Sequence, residues 1–333
     1  MKILMTSEFF YPHIGGIETV TEYLADEFSR MGHEVKIITN TTQIGTKSFP
    51  YEILRKPSVK RFWRVYKWCD VFVHQGISLK RIWPLFLIKK PWFVVYHMVD
   101  YQKGILGRIK KSTSLFSHNI AVSQTTKQGY KLRKAEVILN SYDSKQFYLK
   151  NDSLRRDFVY LGKLYKSKGV HLLIKAFEEF KEKSDSDWNL TLIGGCGDDE
   201  LDNLINLSPY NKNICRLGFK YPDEIVDILN HHKVQIVPSL YKEAFGVVVL
   251  EGMACGCIVI GSDGDGIQEA MGKAGFTFKK GSVDSLCQKM IETYNLSDSD
   301  YQHQQFLMKE NLEKLSLHNV AKKYIQIFSK YIR

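Results

Sequence analysis

From its second residue the chain alternates short apolar runs with longer amphipathic ones, and no other feature narrows its fold so far. "KILMTS" (2–7) reads as a strand, "EFFYPHIGG" as a loop, and "IETVTEYLADEFSRMG" as a helix with apolar residues at 17, 20, 24, 28 and 31. Gly32 is placed to end that helix, and "HEVKIITN" (33–40) opens the next strand. The strand pattern recurs at 70–75, 92–97, 119–123 and 135–140. Strands joined through helices pair in parallel, since a parallel crossover takes about a dozen residues or more.

After Asn140 the pattern relaxes into "SYDSKQFYLKNDSLRRD", a polar stretch suited to a linker near 141–156. A second series follows, with strands expected at 158–164, 189–195, 213–219, 233–239, 257–262 and 274–278 and helices at 169–183, 199–207 and 222–232. Beyond residue 281 the chain reads as helical to its end. A length of 333 residues also exceeds what one hydrophobic core usually supports. The expected fold class is α/β: two Rossmann-like domains, 1–150 and 151–316, facing a cleft that takes the ligand.

Several classes drop out. The start lacks a signal peptide's unbroken apolar stretch, and no run approaches the roughly 18 apolar residues of a membrane span, so a cytoplasmic protein is expected. The six cysteines (69, 196, 215, 255, 257 and 287) form no CxxC, and the histidines form no HExxH, so reduced core thiols are expected and no metal site.

Charge is uneven. Residues 1–150 hold 24 Lys and Arg against 11 Asp and Glu, a balance of +13, and residues 151–333 balance at −2. Between Arg55 and Lys111 there are 14 basic and 2 acidic residues, interleaved with aromatic and aliphatic ones as in "KRFWRVYKW" (60–68) and "LKRIWPLFLIKKPW" (79–92). That composition suits an interfacial segment on anionic lipid. It also suits nucleic acid, but no nucleic-acid module accompanies it, and none is expected as a partner.

In "YKEAFGVVVLEGMACG" (241–256) two glutamates bracket an apolar run. Three β-branched residues in a row favour strand. The flanking strand patterns at 233–239 and 257–262 nevertheless require a crossover, so a helix is expected from near Phe245 to Gly246, with Gly256 ending it. Glu251 then lies about two turns inside that helix, and Glu243 in the loop at the strand's C-terminal end. Amides at the helix start attract anions or hydroxyls, and Gly246 lets a ligand approach the backbone. The plain alternative for each glutamate is a capping or solvent-facing carboxylate.

"PSLYKEAFGVVVLEGMACGCIVIGSDGDGIQEA" (238–270) resembles the donor-site motif of the family 4 retaining glycosyltransferases, which have the GT-B fold. "FFYPHIGGIE" (9–18), "VVYHMVD" (94–100), "IAVSQTT" (120–126) and "YLGKLYKSKG" (160–169) are similar to further segments of that family, in order along the chain. The resemblance implies that Glu251 holds the nucleotide ribose. It implies that Glu243 and the backbone of Phe245, Gly246, Val247 and Val248 hold the donor sugar and diphosphate. Lys163 and Lys168 would neutralise the diphosphate, Gly15 and Gly16 would approach the phosphates and sugar, and His97 would lie near the transferred sugar. The base would meet backbone near Leu217 to Phe219. His97, Glu243 and Lys168 are the implied catalytic residues.

Two departures stand out: Lys163 replaces the family's usual arginine and loses its bidentate fork, and Asn140-Ser141 replaces Asn-Gly. The helix within 316–333 resembles the family's terminal helix, so 317–333 is expected to cross back to the first domain. The implied reaction is retaining transfer from a nucleotide sugar, of UDP type, to an acceptor hydroxyl. A lipid-linked saccharide is the expected acceptor, with a soluble small molecule or protein as the alternative. The implied place is the inner face of the cell membrane, with an anionic surface met through 55–111. No cofactor is expected. Asp-x-Asp spellings at 185/187, 263/265 and 298/300 are short enough to occur by chance.

Overall fold

A computed structural model describes all residues except 14, 100–103, 151–154, 196, 198 and 333, and the side chain of 106. Ile14 of the first glycine loop, Asp100, Cys196 and 151–154 of the expected linker thus lie outside the described residues. The chain divides into two units, Met1–Ser141 with Leu315–Arg333, and Tyr142–Lys314.

The first unit runs β1 (Lys2–Ser7), α1 (Gly16–Arg30), β2 (Glu34–Thr39), β3 (Glu52–Arg55), α2 (Val59–Trp68), β4 (Val71–Gln75), β5 (Trp92–Tyr96), α3 (Ile105–Thr113), β6 (His118–Ala121), α4 (Gln124–Gly129) and β7 (Ala135–Val137). Its seven strands are parallel in the order β3-β2-β1-β4-β5-β6-β7. Every residue of β4 and β5 is buried, as expected of parallel strands covered on both faces. β3 and α2 fall where the sequence pattern showed no element.

Within 55–111 the structure corrects the reading of the 62–83 rings and Trp92 as an interfacial stripe. Phe62, Val65 and Tyr66 of α2 are buried, Trp63 stacks on Trp83 with ring centroids 5.6 Å apart, and the Tyr66 hydroxyl donates to the Ile88 carbonyl at 2.5 Å. Trp92 is buried in the same cluster. These rings are core, because α2 and the 76–91 connection cover the β4 and β5 face and need apolar side chains to do so.

The second unit runs β8 (Arg156–Leu161), α5 (Val170–Ser184), β9 (Leu190–Ile193), α6 (Asp199–Leu207), β10 (Ile214–Gly218), α7 (Pro222–His231), β11 (His232–Val237), α8 (Val247–Ala254), β12 (Ile258–Ser262), α9 (Gly266–Met271), β13 (Phe276–Phe278), α10 (Val283–Tyr294) and α11 (Asp298–Lys314). Its six strands are parallel in the order β10-β9-β8-β11-β12-β13. Phe158, Phe180, Trp188 and Tyr294 form a chain of edge-on aromatic contacts at its core.

The last helix, α12 (Leu317–Ser329), belongs to the first unit. Phe328 is fully buried between Phe28 of α1 and Phe93 of β5, and His318 Nδ1 lies 3.0 Å from the buried carboxylate of Glu27. In both sheets the strand order reverses once, between β1 and β4 and between β8 and β11. Open parallel sheets take ligands outside the carboxyl ends of the strands at such a reversal.

Candidate functional site

The reversal in the second sheet is built by three loops held together by backbone. After β8 the chain passes Gly162, Lys163 and a short turn, Lys166–Lys168, to Gly169, whose φ of +76° is left-handed. A Cβ on Gly169 would stand 1.9 Å from the Pro238 carbonyl, so only glycine lets this loop meet the exit of β11. The amides of Leu240 and Tyr241 both donate to the Ser167 carbonyl, at 3.0 and 2.9 Å.

This junction brings together residues 75 positions apart: Lys168 Nζ lies 2.5 Å from Glu243 Oε1. Ser239 Oγ donates to the same oxygen at 2.9 Å. The Glu243 amide donates to Asp265 Oδ2 at 3.1 Å, and the Gly266 amide donates to the Glu243 carbonyl at 3.2 Å. Asp265 is buried, caps α9 through the Ile267 amide at 3.0 Å, and pairs with Lys280. Glu243 is therefore fixed at its side chain by Lys168 and Ser239 and at its backbone by the loop before α9.

α8 begins at Val247, one or two residues later than expected, so Glu251 is its fifth residue and lies just over one turn inside. Gly246 precedes it in left-handed backbone, φ +104°, and no side chain caps the first turn. Phe245 is buried and anchors the loop, while Val247 and Val248 are half-buried. The amides of this turn therefore have no side-chain acceptor, leaving them for a ligand's oxygens. The helix forms despite its three valines because Val249, Leu250, Met253 and Ala254 are buried beneath the loop.

Glu251 keeps part of its surface open, yet burial pushes its carboxyl up to about 7. The carboxylate has no hydrogen-bond or ion-pair partner among the described residues. It is poised to accept two hydroxyl donors.

The remaining candidates of this unit spread along the same strand edge. Lys163 is exposed, its carbonyl accepts the Tyr160 hydroxyl at 2.7 Å, and its ammonium stands 6.0 Å above the Tyr165 ring. Leu217 is half-buried near the end of β10, and the neighbouring Gly218 carbonyl accepts the Gly194 amide at 2.9 Å. β10 and β11 are three strand spacings apart, roughly 14 Å.

In the first unit His97 follows β5. Its Nε2 lies 2.7 Å from Gln75 Oε1, and burial pushes the ring down to about 4, so it is neutral at pH 7. It lines a cavity of about 250 Å3 with Gln75, Gly76, Glu8 and Ile17 at the β1/β4 reversal. Gly15 caps α1 with φ −169°, extended backbone open to any residue, and a Cβ on Gly16 would meet nothing within 4 Å. The two glycines leave room there, but neither is required by backbone conformation.

Sequence reasoning missed Ser239, Gln75 and Lys280, and it weighed Asp265 only as part of an Asp-x-Asp spelling. Asp263 accepts the Lys280 amide at 3.0 Å and Asp187 pairs with Arg156 at 2.8 Å. Among the described residues no three His, Cys, Asp or Glu side chains gather as a metal cluster. The cue for Asp265 was its place just before "GIQEA", where an aspartate caps a helix.

Two parallel α/β sheets, each with its own reversal, define the GT-B class of glycosyltransferase folds. HepE of Anabaena, solved in complex with UDP, matches with a TM-score of 0.84 at 16% identity, over 99% of this chain and 100% of that one. A glycosyltransferase of Methanocaldococcus jannaschii, itself uncharacterised, is 28% identical over 329 residues, spanning 89% of each chain. The gpi3 subunit of the Schizosaccharomyces pombe phosphatidylinositol N-acetylglucosaminyltransferase is 23% identical over 85% of this chain and 70% of its own. Residues 143–306, nearly the whole second unit, match the family described as glycosyl transferases group 1. That match lies on the second unit, and the chain is a glycosyltransferase.

Proposed function

We propose that this glycosyltransferase moves a glycosyl group, with retention, from a UDP-type nucleotide sugar to a hydroxyl of a lipid-linked saccharide. The observation that carries the reading is the Lys168–Glu243 pair at the reversal of the second sheet, followed along the chain by α8 with Glu251, whose carboxylate has no partner among the described residues. β10, which carries Leu217, lies three strand spacings, roughly 14 Å, from β11, which leads to Glu243, and that separation suits a base, ribose and diphosphate laid along the strand ends. HepE was solved with UDP, which supports the choice of base. The fission yeast relative is named for a phosphatidylinositol acceptor, which supports a lipid one here.

Glu251 accepts the ribose hydroxyls. The amides at Val247 and Val248 and the Phe245–Gly246 backbone hold the diphosphate and sugar. The diphosphate competes for Lys168, which releases Glu243 to the sugar hydroxyls. The bond from the anomeric carbon to the phosphate oxygen breaks, a bond to the acceptor oxygen forms on the same face, and the acceptor proton passes to the departing oxygen. Charge grows on that phosphate as the bond breaks, so Lys168 and Lys163 stabilise the transition state more than the ground state. No carboxylate is assigned as nucleophile, and no metal or cofactor has a role. His97, Gly15 and Gly16 keep their expected roles toward sugar and phosphates as part of this proposal. The acceptor is met from a peripheral position on the inner face of the cell membrane. No helix among the described residues is long and apolar enough to cross a membrane.

Turnover of Lys168→Ala and Glu243→Ala on the donor tests the assignment. Each is expected to lower kcat by about 100-fold or more. Near-normal kcat in both sinks it.

A further inference from the structure

The first unit holds a second cavity, of about 1600 Å3, at the strand ends opposite to His97. Phe93, Tyr130, Leu132 and Tyr331 give it an aromatic and apolar floor. Arg108, Lys111, Lys127, Lys131, Arg133 and Lys134 line it with six cations against one carboxylate, Glu136. All six cations are exposed or half-buried. Among the described residues the ion pairs of this unit, Arg30–Glu27, Lys36–Glu52, Lys47–Glu22, Arg61–Glu52 and His318–Glu27, use none of them.

Beside these cations, the turn from α3 to β6 points Leu115 and Phe116 into solvent, 81% and 83% exposed. Ile105 and Ile109, one helical turn apart on α3, are exposed as well. Phe86 and Leu87 are exposed in the loop that feeds the adjacent strand β5 from the same edge of the sheet. Apolar side chains left in water beside unpaired cations need a partner that satisfies both. A nucleic-acid duplex would meet the cations and leave Leu115 and Phe116 in water. An anionic bilayer meets both, with headgroup phosphates at the cations and the acyl boundary at the two side chains.

We propose that this cavity and the Leu115–Phe116 tip dock the first unit on an anionic bilayer, with the cations holding headgroup phosphates and the tip entering the acyl boundary. The inference rests on the membrane-borne acceptor proposed above, and it centres the docking surface on 105–134 in place of Phe62, Trp63, Tyr66 and Trp92, whose rings pack in the core.

The test is co-sedimentation of the intact chain with vesicles of phosphatidylglycerol and phosphatidylcholine, and with vesicles of phosphatidylcholine alone. The variants are Leu115→Ser with Phe116→Ser, and Lys131→Glu with Arg133→Glu. Thermal unfolding with and without UDP, run on the same preparations, reports folding and the donor site. Expected are binding to the mixed vesicles only, a fall in partitioning of about tenfold or more in each double variant, and an unchanged UDP response. No binding by the unaltered chain, equal binding to neutral vesicles, or full binding by both folded variants overturns the proposal. So does duplex RNA displacing the chain from vesicles while the Leu115/Phe116 variant binds as tightly as the unaltered chain. A chain that docks but responds to no UDP sugar contradicts the donor reading instead, so the two fail separately.

Discussion

Glu251 is a carboxylate raised to about 7 by burial, with no charge beside it to offset the cost. Its usual value is 4.5, so both folded and unfolded chains are protonated below that pH and the group costs the fold nothing. Between 4.5 and about 7 the unfolded chain ionises first, and stability from this group is lost as pH rises. Thermal unfolding without ligand is therefore expected to show the unaltered chain losing Tm relative to Glu251→Gln between about pH 5 and about pH 8. A Tm difference that does not move with pH contradicts the assignment. The two glutamates were legible in the sequence because an apolar run separated them. The partner of Glu243 was not, since Lys168 lies 75 residues away and only the Gly169 contact with Pro238 brings the loops together. The capping role of Asp265 was not legible because a capping aspartate and half of a chance Asp-x-Asp spelling look the same without coordinates.

At the scale of elements, the alternation of periods marked most strands and helices, with boundaries shifted by a residue or a few. α8 was legible only through its neighbours: Val247–Val249 favour strand, and the need to cross from β11 to β12 overrides that preference. β3 and α2 were missed because β3 is four residues long and α2 reads by composition as a basic aromatic surface. Composition counts residue types, whereas burial depends on which face each side chain takes. The terminal helix offers a sharper check of packing. Phe328 is fully buried on Phe28 and Phe93, so Phe328→Ala is expected to cost about 3–5 kcal/mol of first-unit stability. Denaturant unfolding reads that loss, and a change below about 1 kcal/mol would show that the helix is not part of that unit's core.

For the whole molecule, the positive charge noted in the sequence belongs to the unit that carries the basic cavity, and the donor candidates other than Gly15 and Gly16 lie on the second unit, which is net acidic with 21 Lys and Arg against 26 Asp and Glu. Each sheet has its candidates at the reversal of strand order, as its topology requires. The class was legible because a repeated βα pattern leaves few alternatives, and the family because one motif spans 238–270. The central claim is that the second unit binds a nucleotide sugar through Glu251 and the loop holding Glu243. Calorimetric titration of UDP into the unaltered chain and into folded Glu251→Ala tests it most directly. The account predicts saturable binding that weakens by about tenfold or more in the variant, since a carboxylate accepting two hydroxyls is worth at least about 1.4 kcal/mol. Equal affinity in the two proteins would contradict it.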